Sequence, residues 1–449
     1  MEERQAHQFL HSIPDAMIPQ SNLMVMAPVA AGRKDDLRQL LLSMNQAPGV
    51  ADPANKLLPF GLLDELHFAR LLILEDPTLA DITTAYKLPT PVYPLYFALL
   101  CDFDGPQDTF LAKLVGSAAE GLTAIFEHCE GFSRGVDLLT WIKQHHRQQA
   151  TSYVNWLGRS MQQVREEAAL RLSIRAWLDA DNAHLELSPL QLHNELSAYI
   201  AAEQRAGRLS LTPEPTTPII WELRNIAHLI AVPLLLLLLS PLLILYAPFF
   251  VIQLRRREQA DMEIAPRPAF AYADKLAALE DHDVTNQFSA FGSLKPGLFR
   301  RWTLIFILWV INYTTRHIFN RGRLARVTTI HFARWVFLDN KKRLLFASNY
   351  DGSLDSYMDD FINKVAFGLN VVFSNGIGYP TTNWLVLDGA KDEQKFKYFI
   401  RRHELPTEVW YNGHAGLTAL DLQRNTLIRQ GLENPGMSDS QLQQWVQLL

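Results

Sequence analysis

Short apolar blocks of strand length alternate with amphipathic stretches through the first third of the chain. Asn22 to Val29 is one such block, and Leu66 to Leu74 and Tyr93 to Cys101 are β-rich runs bounded by Pro and Asp, so three strands are predicted. Gly32-Arg33-Lys34-Asp35-Asp36 leads into a short helix, Leu37 to Met44. Asp104-Gly105-Pro106 is a turn into a second helix, Asp108 to Glu120, with proline and acidic residues at its start. Leu122 to Cys129 reads as a fourth strand that closes the sheet. The order β-α-β-β-α-β is the split βαβ arrangement of ferredoxin-like units.

The same pattern recurs later in the chain. An offset of 264 carries Asn22 to Asn286 and His67-Phe68-Ala69-Arg70 to His331-Phe332-Ala333-Arg334. An offset of 247 carries Asp104-Gly105 to Asp351-Gly352, Gly121-Leu122 to Gly368-Leu369 and Phe126 to Phe373. An offset of 258 carries His145 to His403, Tyr153 to Tyr411, Gly158 to Gly416 and Arg171 to Arg429. Matches in this order point to a duplication. The tails also read alike: Lys395 to Arg402 as helix, Glu408 to Tyr411 as extended chain and Gly416 to Arg429 as helix, with Trp156 to Trp177 as the earlier equivalent. The expected fold is α+β, with two tandem ferredoxin-like repeats packed as a pseudo-dimeric barrel. The division is an N-terminal arm, 1–20; repeat one with its helical tail, 21–172; a helical insertion and Pro-rich linker, 173–218; a hydrophobic membrane segment, 219–257; a linker, 258–284; repeat two with its tail, 285–430; and a C-terminal tail, 431–449. Within the insertion Pro189 to Ala206 is a further helix, and Leu211 to Pro218 is the linker.

From Asn225 to Leu254 there is no Asp, Glu, Lys or Arg, and Arg255-Arg256-Arg257 follows at once. A run of that length and composition is expected to enter a membrane. A single crossing would place the repeats on opposite sides of the bilayer and uncover both apolar sheet faces. Two arrangements avoid this. Phe306 to Phe319 with its flanks is a second span, or the block is a hairpin turning at Ser240-Pro241. The hairpin is preferred, because Pro233, Pro241 and Pro248 each remove a backbone donor. Trp302 to Ile318 would then lie near the interface with Arg300, Arg301 and Arg316 at headgroup level.

Composition narrows the partners. The chain has 449 residues, 48% apolar and 20% charged, with a net charge of -5, which suits two or three globular domains and gives no general attraction to nucleic acid. Cys101 and Cys129 are the only cysteines, so they read as packing residues and a reducing, cytoplasmic setting for both repeats is expected. The first residues lack the apolar run of a signal peptide. Membrane lipid and a small-molecule ligand are the expected partners.

Candidate chemistry gathers on the repeated segments. A period of two places His331 and Arg334 on opposite faces of their strand; one reading is a satisfied histidine and an arginine paired with an acid such as Asp351, the other a ligand pocket. Asp351-Gly352 leads into a helix at Asp355 that Asp351 is placed to cap. His403, Tyr411 and Arg429 are expected to converge from the tail. His414 occurs in the second copy alone, in an exposed glycine-flanked loop. No nucleophile elbow, P-loop, dinucleotide fingerprint or His-Glu-Xaa-Xaa-His helix is present.

Two tandem ferredoxin-like units, an Asp-Gly at a strand-to-helix turn and a later His and Arg resemble dye-decolorising peroxidases and the wider dimeric α+β barrel superfamily. The matching motif is Ser348-Asn349-Tyr350-Asp351-Gly352, with Ser348 where the family's leading Gly stands. The resemblance implies haem as cofactor, Asp351 as distal acid, Arg334 or Arg429 as distal cation, and His403 or His414 as iron ligand. The aspartate would move a peroxide proton while arginine stabilises the developing oxyanion. The two functions that follow are a membrane-associated α+β barrel that binds an unknown small molecule or serves as an accessory protein, and a membrane-anchored haem peroxidase.

Overall fold

The computed structural model describes residues 20–213 and 217–449. Residues 1–19 of the N-terminal arm and the middle of the Pro-rich linker lie outside the described residues. The chain is mixed α+β, with helices on the outer faces of two antiparallel sheets.

In the N-terminal half, β1 (Gln20–Pro28) is followed by α1 (Lys34–Leu42), β2 (Leu66–Leu74), β3 (Tyr96–Asp104), α2 (Gln107–Phe126), α3 (Leu138–His145), β4 (Thr151–Val154), α4 (Met161–Ala180) and α5 (Pro189–Arg205). A long helix, α6 (Ile219–Ala260), comes next. The C-terminal half has β5 (Thr285–Ser293), α7 (Leu298–His317), β6 (Ile330–Leu338), β7 (Arg343–Asp351), α8 (Leu354–Phe373), α9 (Glu393–His403), β8 (Val409–Asn412), α10 (Ala419–Leu432) and α11 (Asp439–Val446).

The strands sort into two four-stranded sheets, β1-β3-β2-β8 and β4-β6-β7-β5. Each sheet takes its last strand from the opposite half: β8 pairs with β2 from Val409↔Leu71 to Asn412↔Phe68, and β4 pairs with β6 from Thr151↔Trp335 to Val154↔Phe332. Neither half can move away without breaking a ladder in both sheets. The inner faces meet in a shared core, Met24, Leu72 and Leu100 against Phe291, Val336 and Leu345, while α2 and α3 cover one outer face and α7, α8 and α9 the other. The sheets stack without closing into a barrel.

The expected fourth strand, Leu122 to Cys129, does not form. Residues 122–126 continue α2, and only Cys129 bridges to Val29. Ala118, Gly121, Leu122, Ile125 and Phe126 are buried at helical spacing, a period that the short apolar run concealed. Gly121 is required by the packing, since a Cβ there would stand 1.9 Å from the Leu57 carbonyl oxygen.

The expected hairpin is also replaced. Residues 219–260 form one uninterrupted helix that contains Pro233, Pro241 and Pro248. A proline leaves the carbonyl four residues earlier without its donor, and hydroxyls fill two of those vacancies. Tyr313 donates to the Leu229 oxygen at 2.9 Å, and Ser240 to the Leu237 oxygen at 2.7 Å. The residue expected to turn the chain therefore supplies the replacement bond that keeps it helical. This helix is long and apolar enough to cross a membrane, and its most apolar stretch has no buried residue.

α6 runs antiparallel along α7. Arg316 donates to Asn225 at 2.7 Å, His228 Nδ1 lies 2.7 Å from His317 Nε2, and Phe250 packs on Phe299 with ring centres 5.3 Å apart. Glu258 anchors the far end, accepting from Thr382, Trp384 N and Leu385 N at 3.1, 3.0 and 2.7 Å. Arg300, expected among headgroups, is instead buried and paired with Asp261 beside Lys295.

Candidate functional site

Both sheets are irregular at the same place. In β2, Leu66 faces Phe103 and Phe68 faces Asp102, so His67 is an extra residue; in β6, Ile330 faces Tyr350 and Phe332 faces Asn349, so His331 is extra. A β-bulge re-aims the side chain it carries. It overrides the period of two that placed His331 opposite Arg334: His331 meets Phe68 of the other sheet at 5.5 Å, and Arg334 also reaches the other sheet. His414 arrives from the loop after β8. That loop lies against β2, with Gly413 N donating to the His67 carbonyl at 2.8 Å. A Cβ on Gly413 would stand 2.7 Å from two β2 carbonyls, so glycine permits the approach. In the loop expected to be exposed, Ala415 and Gly416 face solvent, but His414 is turned inward and 2% exposed.

Five side chains then form one chain across the two halves, buried except at the half-buried Asp104. Asp104 Oδ1 is 2.9 Å from His67 Nε2, and His67 Nδ1 is 2.8 Å from His414 Nε2. His414 Nδ1 is 3.4 Å from His331 Nδ1, and His331 Nε2 is 2.6 Å from Asp351 Oδ1. Each carboxylate also holds a helix start: Asp104 Oδ2 accepts from Met161 N of α4 at 2.6 Å, and Asp351 Oδ2 from Ala419 N of α10 at 2.8 Å. Carboxylates suit these positions because the first turn of a helix has free N–H groups and a positive dipole end. Asp351 was expected to cap the helix that follows it; Ser353 does so, and Asp351 serves a helix 68 residues away in sequence.

The proton count of this chain has a chemical consequence. Its four contacts need four N–H groups, while three neutral imidazoles carry three. With all three rings neutral and each carboxylate accepting from its imidazole, the 3.4 Å contact, longer than an ordinary hydrogen bond, is the one left without a hydrogen. Burial first, then the neighbouring His67 and His331 and more distantly Arg159 and Arg165, holds His414 well below the usual imidazole range, so it is neutral near pH 7. One added proton between His331 and His414 would complete the chain from Asp104 to Asp351. Beside the three rings is a cavity of about 20 Å³ bordered by Gln20 and Arg159, room for one water.

The arginines of the repeated motif do something else. Arg334 donates to the Leu23 and Cys101 carbonyls at 2.8 and 3.0 Å and to Asp102. Arg70 crosses the other way, to the Phe288 and Ser348 carbonyls at 2.7 and 2.8 Å, to Ser289 and to Asn349. Burial pushes Arg70 down to about 9, partly opposed by Asp102, which still leaves it charged at neutral pH. Both arginines pin sheet to sheet. Arg334 thus has Asp102 as its acid, and Asp351 belongs to His331.

Among the remaining candidates, convergence fails. Tyr411 stacks on Phe60 in the N-terminal core, with ring centres 5.1 Å apart. Arg429 donates to Glu433 and to the Thr212 carbonyl at 2.9 and 2.7 Å. His403 bonds the Phe399 carbonyl at 2.8 Å. Its ring is pressed on Gly292, where a Cβ would lie 2.5 Å away. Haem does not fit either proposed ligand. Both nitrogens of His414 face other imidazoles, and His403 borders a cavity of about 40 Å³. Among the described residues no group of His, Cys, Asp and Glu is arranged to hold a metal.

A much larger space lies between α6 and α7, an apolar groove of about 820 Å³ walled by Tyr246, Phe249 and Phe250 on one side and Phe299, Trp302 and Phe306 on the other. Periodicity could mark α7 as amphipathic but could not show that α6 lies along it. Comparison with protein families, with curated proteins and with solved structures returned no match.

Proposed function

We propose that this chain is a membrane-associated protein built from two duplicated ferredoxin-like halves, which stand on the same, cytoplasmic side of the bilayer and bind a small apolar molecule. The observation that carries the reading is the continuous 42-residue helix α6, whose apolar surface is exposed while both its ends are fastened to the same globular body. A helix so fastened suits lying along a bilayer surface, apolar side inward and basic ends at the headgroups. The strand exchange supports one-sidedness, because β4 and β8 would otherwise have to pair across a membrane. Arg255, Arg256 and Arg257 favour the cytoplasmic face. The duplication is supported by matched bulges at His67 and His331 and by reciprocal arginines across the interface. The groove has the size and apolar lining of small-molecule sites.

Flotation on liposomes tests this reading. Full-length protein is expected to float, and a variant with Leu237→Asp, Leu238→Asp and Leu245→Asp, all more than two-thirds exposed, is expected to remain at the bottom of the gradient with an unchanged circular dichroism spectrum. A wild-type protein that stays soluble without detergent and does not float would overturn it.

A further inference from the structure

The groove between α6 and α7 has its charged lining residue, Arg257, at one end. Leu243 of α6 and Phe306 and Ile307 of α7 line the distal end, while Gln253 and Arg257 stand where α7 begins. A stretch from residue 243 to 257 is about 20 Å of helix at 1.5 Å per residue, so the space is long as well as apolar. Among the described residues Arg257 Nε is buried without a hydrogen-bond partner, and the guanidinium faces the Phe299 ring at 5.2 Å rather than a carboxylate. Beside it α7 starts at Gly297, which provides no side-chain cap, and a Cβ on Gly297 would lie 3.5 Å from Arg257 Nη1. An unpaired guanidinium next to uncapped backbone N–H groups suits an anion. The apolar trough leading from it suits a hydrocarbon chain.

We propose that this groove seats one acyl chain of an anionic membrane phospholipid, with its phosphate on Arg257 and the open N-terminus of α7. The proposal rests on the membrane reading, since a groove beside an embedded α6 fills from the bilayer. The anionic head selects the lipid, and the groove holds its chain. The lining alanine, Ala247, offers a way to fill the space without altering charge.

The test uses full-length protein in mild detergent, with native mass spectrometry and competition between pyrene-labelled phosphatidylglycerol and phosphatidylcholine. Wild type is expected to retain about one phospholipid per chain and to prefer the anionic one. Ala247→Trp should lose retention while still floating on liposomes. Arg257→Gln should keep the chain site but lose about tenfold or more of the anionic preference, the scale of a charge-assisted hydrogen bond, and Arg257→Lys should recover part of it. Retention unchanged in Ala247→Trp, equal headgroup preference in wild type and Arg257→Gln, or tighter binding of free fatty acid than of phospholipid would each overturn the proposal. With flotation intact these outcomes leave the membrane reading standing; loss of flotation in the wild type would remove both.

Discussion

Each half of the chain has a helix between its first two long strands, α1 between β1 and β2 and α7 between β5 and β6, and the two helices meet different surroundings. α1 has nine residues, turns Leu37 and Leu41 inward and shows charged side chains outward. α7 has twenty, and it buries Arg300, Leu304 and Leu308 while Leu298, Trp302 and Phe306 are at least half exposed. The inward demand is the same, a few apolar side chains against a sheet. Only the outer face changes, and in α7 it became the wall of a groove. A helix joining two strands can therefore be lengthened and made apolar outside without disturbing the sheet below, because sheet packing reads one stripe of the helix.

Elsewhere the two halves share a bulge at a histidine and an arginine that crosses to the other sheet, and the small asymmetries between them give ways to break the comparison. The largest effect is expected at the arginine pins. Arg334→Leu leaves the buried carboxylate of Asp102 without its cation and should cost about 3–5 kcal/mol. Arg70→Leu leaves the neutral Asn349 and two carbonyls and should cost about 1–3 kcal/mol. Urea denaturation measures both, and equal losses would show that the Asp102 charge is not what separates the two sites.

The aligned glycines of α2 and α8 come next. Gly121→Ala drives a Cβ into the Leu57 carbonyl and should destabilise by about 1–3 kcal/mol. At Gly368 the nearest atom to a new Cβ is 4.0 Å away. Gly368→Ala should stabilise by up to about 1 kcal/mol through helix propensity. Thermal melts of the two variants should move in opposite directions.

His414, which has no counterpart in the N-terminal half, gives an effect that is absent at neutral pH and appears only in acid. Its folded-state pKa lies below its unfolded value, held there by burial and by His67 and His331. The unfolded chain therefore binds more protons in acid. The stability linked to this ring is complete above about pH 6.5 and falls, as pH drops below that, by up to about 1.4 kcal/mol per unit. Stability curves between pH 5 and 7.5 should flatten in His414→Asn; an unchanged acid slope would place the titrating group elsewhere.

Much of the fold was legible. The strand at Leu66 to Leu74 has the predicted bounds, because alternating and continuous apolar runs bounded by Pro and Asp constrain little else. The pairing of His67 with His331 and of Asp104 with Asp351 by fixed offsets marked the residues that anchor the histidine chain at both ends. Their convergence was not legible. It needs two bulges, which shift a side chain by one position without altering the residue pattern around it. It also needs β8, which leaves its own half to pair with β2 and delivers His414.

The long apolar block shows where local reading ends. Its composition alone made it a membrane candidate, since thirty residues without Asp, Glu, Lys or Arg have no other stable surroundings unless they are buried. Whether its prolines would turn or merely interrupt it depended on hydroxyl donors, the Tyr313 hydroxyl from α7 and, within the block, the Ser240 hydroxyl folded back on Leu237. Sequence by itself determined most of the strands and helices, Leu122 to Cys129 being the exception, and marked the long apolar block as a membrane candidate, because those follow from periodicity and composition. Tertiary structure decided which histidines meet, which acid each arginine takes and how α6 lies, because each depends on a partner distant in the chain.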